Sequence, residues 1–510
     1  MVNRLVNRLV DRLVDRCSRG CAIIAGMRRR TKIVATLGPA TDDAKKLRKL
    51  ITAGLDVGRL NFSHGEASDH RRRAEGLRLA AQAAGRDVGL MGDLQGPKIR
   101  VTRFRDRSVE LADGQPFFLD STLGFEDGTH EGVGVALDSL HEDVYEGDTL
   151  LLNDGMITLT VDRIEGTRIH TTVVNAGILS DHKGINKKGG GLSAPALTDI
   201  DRENIVLAAE LEADFLAVSF VRSAEDVAEA RRLFKQAGGH GLIVAKIERT
   251  EAVDNIEEII DASDVIMVAR GDLGVEMGYA ELTGIQKRLI QATRGKSRIV
   301  ITATQMMESM IQHPIPTRAE VSDVSNAVID GTDAVMLSGE TAVGKYPLEA
   351  IRAMAEVCQG AEKYPVSEGL TRHRIGDYFE RVDEAIAMAV MYTANHLDVS
   401  AIIALTESGA TTRWMSRIRS DIPIYAFTPH VATSRRVSLY RGVMPIAFEL
   451  SSVDARTLYQ SVFDALLSRH LVEVGDRVIF TKGDLEGVAG NTNAMKILEV
   501  SASNAQGVER

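Results

Sequence analysis

Cysteine is scarce in this 510-residue chain, occurring only as Cys17, Cys21 and Cys358. That excludes a disulfide framework and points to a reducing compartment. Cys17 and Cys21 fit one helical face, but no second pair with metal-ligand spacing joins them, so they are not read as a metal site. Aromatic residues are only 5% of the chain, against 44% apolar residues and 45 glycines. Small aliphatic side chains must therefore fill the interior, which suits an α/β protein with tight loops. No run of apolar residues is long enough to span a bilayer, so no membrane segment is expected. Positive charge is not in excess either: 61 basic and 71 acidic residues leave a net charge of −10. A nucleic-acid partner is not expected, although a local basic pocket can still hold a phosphate.

What is present begins with an unusual N-terminus. In MVNRLVNRLVDRLVDR, Val2, Leu5, Val6, Leu9, Leu13 and Val14 lie near one helical stripe with arginines mostly opposite. A surface, membrane-touching or partner-binding helix has that pattern. The plainer reading, preferred here, is an extension without a catalytic role, with Met27 as the natural start before the basic run. Aspartates interrupt the stretch, so it does not fit a secretory signal.

From residue 32 onward, short β-branched runs alternate with helical stretches. KIVATL (32–37), VGRLNF (57–62), VGLMGD (88–93), FLAVSF (215–220), LIVAKI (242–247), VIMVAR (265–270), SRIVITA (297–303) and AVMLS (334–338) read as eight strands. Eight βα units predict a (β/α)8 barrel, with its chemistry at the C-terminal strand ends. Between about residues 98 and 193 the rhythm gives way to polar–apolar alternation (SVELADG, VGVALD, DTLLLNDGMITLTV, RIHTTVV), which predicts an inserted all-β lid. Its return segment, KGINKKGGGLSAP (183–195), has the glycines of a hinge and the lysines of an anion contact. After about residue 365, AIIALT (401–406), PIYAFT (423–428), PIAFEL (445–450) and DRVIFT (476–481) predict a separate, doubly wound α/β unit with a regulatory or structural role. The expected division is thus 1–30 extension, 31–97 with 194–364 barrel, 98–193 lid and 365–510 C-terminal unit.

Polar residues collect where the barrel strands end. Arg59, Asn61, Ser63, Asp93, Ser219, Lys246, Glu248, Arg270, Asp272, Thr304, Ser338 and Glu340 all fall at those positions. Glu248 and Asp272 have the hard oxygen donors that Mg²⁺ prefers while leaving positions for water and substrate. Arg59 and Lys246 bring the positive charge that a transferring phosphoryl group needs. Arg270 is expected to orient a carboxylate. The GDLG turn (271–274) is expected to open toward a short helix and offer N–H groups, including that of Gly271, to a substrate carboxylate. GDLEGVAG (483–490) looks like a phosphate loop but lacks the Lys-Ser or Lys-Thr that follows one.

RLNFSHG (59–65), DLQGPKIR (93–100), KIER (246–249), MVARGDLGVE (267–276), ITATQMMESM (301–310), PTRAEVSDVSNAV (316–328) and DGTDAVMLSGET (330–341) together resemble the pyruvate kinase family, from about residue 31 onward. The resemblance implies phosphoryl transfer from phosphoenolpyruvate to ADP, giving pyruvate and ATP in glycolysis. It implies Mg²⁺ on Glu248 and Asp272, with Mn²⁺ able to substitute. Lys246 is implied to stabilise the transferring group and the enolate, Arg59 to contact the phosphate, and Thr304 to serve a water-linked proton relay. Asn61, Ser63 and Asp93 correspond to a monovalent-cation pocket; His64, Arg100 and Lys183 to the nucleotide side. Thr406, Ser408, Gly409, Thr411 and Thr412 correspond to an effector phosphate loop. A cytoplasmic homotetramer with a phosphorylated allosteric effector is implied as well.

Two departures stand out. Leu94 and Gln95 follow Asp93 where many members carry Thr-Lys, and Lys98 stands where those members have glutamate. An ammonium near the cation pocket predicts that K⁺ is not required. The alternatives are a metal-dependent pyruvate aldolase or lyase, which leaves the lid unexplained, and a non-enzymatic binding protein, which need not keep the whole constellation.

Overall fold

Strands buried on both faces need no alternation, and the first three predicted runs form β1 (Lys32–Thr36), β2 (Val57–Asn61) and β3 (Gly89–Asp93), almost wholly buried. The computed structural model describes residues 29–363, 378–449, 457–483 and 492–502. The amphipathic stripe, Cys17, Cys21, Met27, the junction near residue 365 and all but Gly483 of GDLEGVAG lie outside the described residues.

The chain then enters eight further strands. These are β4 (Ser108–Leu111), β5 (Pro116–Asp120), β6 (Gly132–Gly134), β7 (Thr149–Leu152), β8 (Ile157–Glu165), β9 (Arg168–Asn175), β10 (Gly177–Ser180) and β11 (Ile185–Lys187). Six of them form a sheet in the order β11-β7-β8-β9-β5-β6, and β10 pairs with β4. Buried residues alternate with half-buried ones along β8 and β9, as in a sheet with one face on a core. That core is separate from the barrel's and includes Leu119, Leu150, Leu159, Ile169 and Ile185.

Five further parallel strands return to the first three: β12 (Phe215–Val218), β13 (Leu242–Ile247), β14 (Val265–Ala269), β15 (Ile299–Ala303) and β16 (Ala334–Leu337). The eight close as β1-β16-β15-β14-β13-β12-β3-β2. Several predicted runs extend past their strands, most clearly at β12 and β14. Ser219 and Phe220 leave β12, and Arg270 opens a helix, Arg270–Met277. The GDLG segment is accordingly the first turns of that helix rather than a turn ahead of it.

The last sheet holds β17 (Ala401–Leu405), β18 (Ile424–Thr428), β19 (Val443–Ala447), β20 (Arg477–Gly483) and β21 (Thr492–Glu499), in the order β19-β18-β17-β20-β21. β21 runs antiparallel on the edge. Side chains filling the barrel lumen, among them Val34, Met91, Phe215 and Met336, form one continuous apolar cluster with Val390, Met391, Ile402 and Val437 of this C-terminal unit. Lys32 Nζ donates to Val443 O at 2.6 Å across the same boundary. Among the described residues no helix is long and apolar enough to cross a membrane.

Candidate active site

The strand ends bring a connected set of charges to one mouth of the barrel. β2 and β3 are in register, with Arg59 opposite Met91 and Asn61 opposite Asp93. Arg59 Nε meets Asp93 Oδ2 at 2.6 Å, and Arg59 Nη1 donates to Thr36 Oγ1 at 2.9 Å. Lys246 ends β13 and sends its Nζ to Ser219 Oγ at 2.6 Å, Glu248 Oε1 at 2.9 Å and Asp93 Oδ1 at 3.3 Å. Ser219 donates in turn to Leu94 O at 2.7 Å.

All of these groups are buried, so their charges depend on one another. Burial alone lowers the Lys246 pKa, but Asp93 and Glu248 outweigh it and hold the ammonium above its ordinary value. Burial raises the Asp93 pKa, and Arg59 and Lys246 reverse that, leaving a firm carboxylate. Glu248 differs. Burial raises its pKa, Lys246 opposes, and the neighbouring Asp272 pushes it up again. Lys246 therefore compensates Glu248 only in part, and a cation shared with Asp272 would complete the compensation.

The second half of the mouth is built on strained backbone. Thr304 and Gln305 have φ of 66° and 50°, a left-handed pair rare for a β-branched residue. Three contacts fix it. Thr304 Oγ1 accepts from Gly271 N at 2.8 Å and donates to Ala303 O at 2.7 Å, while Arg270 Nη2 donates to Thr304 O at 2.7 Å. Phe220 is likewise left-handed, at φ 54°, and its N–H donates to Glu248 Oε2 at 2.8 Å.

Several expectations change in detail. Arg270 orients no metal-site carboxylate: its guanidinium takes Asp323, at 2.7 Å, and the carbonyls behind Thr304. The Gly271 N–H is given to Thr304 Oγ1, at 2.8 Å, and is not the open donor expected for a substrate carboxylate. Lys98 does not point to the Asn61, Ser63 and Asp93 group; its Nζ lies 3.0 Å from Asp272 Oδ1. Asn61 Oδ1 accepts from Ser63 N at 3.2 Å. Glu340 is buried and accepts from the backbone of Ser338 and Met307, a structural role. Ser338 itself serves as the residue before the short helix Gly339–Ala342.

His64 is exposed in the loop after β2. Arg100 and Lys183 lie side by side on the two legs leading into the lid, where Arg100 bridges to Gly184 and Val101 N donates to Lys183 O at 2.9 Å. Of the lysines expected to meet an anion, Lys187 is committed to Asp148 at 2.7 Å. Thr406, Ser408 and Gly409 lie in the connection that follows β17, and Thr411 and Thr412 on the helix Ala410–Ser416 that it opens. Their hydroxyls are largely engaged: Thr406 accepts from Gly409 N, Thr412 donates to Gly409 O, and Thr411 pairs with Thr492.

Glu276 escaped the sequence reading although it lies in the quoted MVARGDLGVE run, one helical turn beyond Asp272. It is buried, accepts from Thr250 N at 3.1 Å and faces Asn186 of β11 at 3.5 Å. Burial pushes its carboxyl up to about 7. The i, i+4 spacing from a metal-ligand candidate was the available signal.

Among the described residues no cluster of three or more His, Cys, Asp or Glu side chains forms a metal cage. Two neighbouring carboxylates, Glu248 and Asp272, each holding a single ammonium (Lys246 and Lys98), still supply the oxygen donors a hard divalent ion takes.

Comparison with known proteins gives a consistent result. The model of the pyruvate kinase barrel domain matches residues 28–351, and that of the pyruvate kinase alpha/beta domain matches residues 384–498. Pyruvate kinase II of Salmonella typhimurium is 53% identical over 476 residues, covering 92% of this chain and 99% of its own length. A pyruvate kinase of Haemophilus influenzae is 51% identical over 477 residues, with 92% and 99% covered. One from Geobacillus stearothermophilus is 42% identical over 485 residues, with 94% and 82% covered.

Proposed function

The chain belongs to the pyruvate kinase family and transfers the phosphoryl group of phosphoenolpyruvate to ADP, and we propose that Lys246, Arg59, Glu248, Asp272 and Thr304 carry that reaction. Membership displaces the aldolase or lyase reading and the non-enzymatic one. The observation that carries the residue assignment is the Lys246 ammonium, buried and held between Asp93 and Glu248.

The family needs a divalent metal. Glu248 and Asp272 are its proposed ligands here, with Mg²⁺ the expected ion and Mn²⁺ its substitute. When bound, the ion supplies Lewis acidity toward phosphoryl and carbonyl oxygens. The protein does the rest with fixed charges. Asp93 and Thr36 hold Arg59 by Nε and Nη1, which leaves Nη2 for the phosphoryl oxygens. Lys246 stays charged while the bridging bond breaks and stabilises the enolate oxygen that results. The Thr304 hydroxyl gives its own hydrogen to Ala303 O, which favours a water-linked relay over direct protonation of the methylene carbon.

His64, Arg100 and Lys183 form the proposed nucleotide side, with the lid legs bringing the last two together. The pocket of Asn61, Ser63 and Asp93 is proposed to work without K⁺. Both Asp93 oxygens already face cations, Arg59 and Lys246, so no carboxylate charge is left for a monovalent ion. Regulation by a phosphorylated effector at the Thr406–Thr412 loop, a homotetramer and a cytoplasmic location complete the reading. The division at about residues 30, 97, 193 and 364 is the domain organisation that the strand order supports. ATP formation from phosphoenolpyruvate and ADP, measured in wild type and Lys246→Met, tests the site. Wild-type turnover in the variant would remove Lys246 from the mechanism.

A further inference from the structure

On the N-terminal face of the barrel, opposite the chemistry, arginines outnumber the acids that could neutralise them. Arg294 ends the helix Tyr279–Gly295, while Arg417, Arg419 and Arg441 come from the C-terminal unit and Arg30 precedes β1. Arg417 is satisfied by a two-pronged pair with Asp333. Arg30 takes Glu362 and, at the exposed edge, Asp421. Glu362 is further occupied by Thr31, and Asp330 is taken by Lys287 at 2.5 Å.

Among the described residues Arg294, Arg419 and Arg441 form no ion pair of their own; Asp333, Asp330 and Glu362 are the acids whose charge reaches them, and each already holds another cation. Arg294 reaches only Arg417 O, at 3.4 Å, and Arg419 reaches only Ile329 O, at 2.5 Å. The Nε atoms of Arg419 and Arg441 are out of solvent without an acceptor. Arg294 and Arg419 approach the same point: a Cβ on Gly331, which has φ of 102°, would overlap a terminal nitrogen of each. Burial pushes Arg294 down to about 10, with Asp333 opposing and Arg417 and Arg441 adding repulsion, while burial and then repulsion from Arg294 and Arg441 push Arg419 down to about 9. A guanidinium does not give up its proton in a protein, so that strain calls for a counter-ion. The five arginines against Asp333, Glu362 and Asp421 leave an excess of two positive charges, 5 − 3 = 2.

We propose that this boundary is an oxyanion site, in which a phosphate-class dianion sits between Arg294, Arg419 and Arg441 and joins the barrel to the C-terminal unit. The planar forks of arginine suit tetrahedral oxyanions, and buried polar atoms left unpaired commonly mark a missing ion. The site is separate from the Thr406–Thr412 loop, whose hydroxyls none of these guanidinium groups contacts in the described residues. Both free phosphate and the phosphoryl group of a phosphomonoester have the required chemistry.

The test is thermal melting and calorimetric titration of the full chain in phosphate-free buffer, with inorganic phosphate added against chloride at equal ionic strength. Wild type should gain melting temperature with phosphate, and Arg419→Gln and Arg441→Gln should each bind it at least tenfold more weakly. Without phosphate, both variants should melt at or above wild type, since repulsion is relieved. Ser408→Ala should leave phosphate binding here unchanged. Glucose 6-phosphate and AMP form separate arms: tighter binding than phosphate, lost in the same variants, identifies a phosphomonoester. Should a variant fail to fold, hydrogen exchange on wild type decides. Phosphate protection at residues 327–332, 417–421 and 439–442 supports the site, whereas protection confined elsewhere, or a chloride-equal response, overturns it.

Discussion

Lys98 Nζ stands 3.0 Å from Asp272 Oδ1 and 3.7 Å from Asp154 Oδ1, so one ammonium ties a proposed metal ligand to the β7–β8 turn of the lid. Burial lowers the Lys98 pKa, but Asp272 more than reverses this, so the lysine is charged across the working pH range. A divalent ion and Lys98 thus contend for the same carboxylate. Lys98→Met should bind Mn²⁺ more tightly in the absence of substrate, by about tenfold or about 1.4 kcal/mol. Water-proton relaxation or calorimetry reads this directly, and equal affinities would show that the pair does not oppose the metal.

Potassium should matter little. With Mg²⁺ present and a bulky organic cation holding ionic strength, wild type should be substantially active and change only slightly when K⁺ is added. Activity that is nearly nil until K⁺ arrives would show that the cations around Asp93 do not stand in for the ion.

Lys246→Met removes the cation common to Asp93 and Glu248. A fall in kcat of about 10² or more is expected, with a smaller change in KM, because the charge is needed most as the enolate forms. Asp93 keeps Arg59, but Glu248 loses its compensating charge, so stability should fall too, by about 3 kcal/mol. Circular dichroism melts alongside steady-state kinetics separate the two effects.

Glu276 gives a pH signature. Its folded pKa, about 7, lies above the ordinary value of 4.5, so folding favours the protonated form. Its favourable contribution is complete below about pH 4.5 and lost as pH rises through 7. Glu276→Gln, which keeps an acceptor for Thr250 N, should match wild type near pH 4.5 and exceed it above pH 7 by up to about 3 kcal/mol. Denaturant melts at both pH values check this; a constant difference would mean that Glu276 does not titrate there.

The barrel strands were legible because burial on both faces leaves long apolar runs such as LIVAKI and VIMVAR. Their ends were less so, since Arg270 continues an apolar run in sequence but starts a helix in space. β21 was missed because TNAMKILE is a largely exposed edge strand with no clean alternation. In the lid, VGVALD pointed to a strand where only Gly132–Gly134 forms one. Site residues at strand ends could be located from the βα rhythm and the family motifs, but their partners could not. Asp323 lies on another helix from Arg270, Asp154 reaches Lys98 from the lid, and only closure of the barrel brings Asp93 to Lys246. The arginine cluster spans residues 30 to 441 and has no local pattern at all.

The apolar cluster that passes from the barrel lumen into the C-terminal unit bears on how the chain is made. A ribosome releases β1 to β16 before Val390, Met391, Ile402 and Val437 exist, so the nascent barrel closes around a lumen whose floor is still bare. Those apolar ends stay open to water, and to other nascent chains, until the last sheet emerges and seats itself. Completion of the last sheet, and not barrel closure alone, is therefore what removes the lumen's apolar end from water.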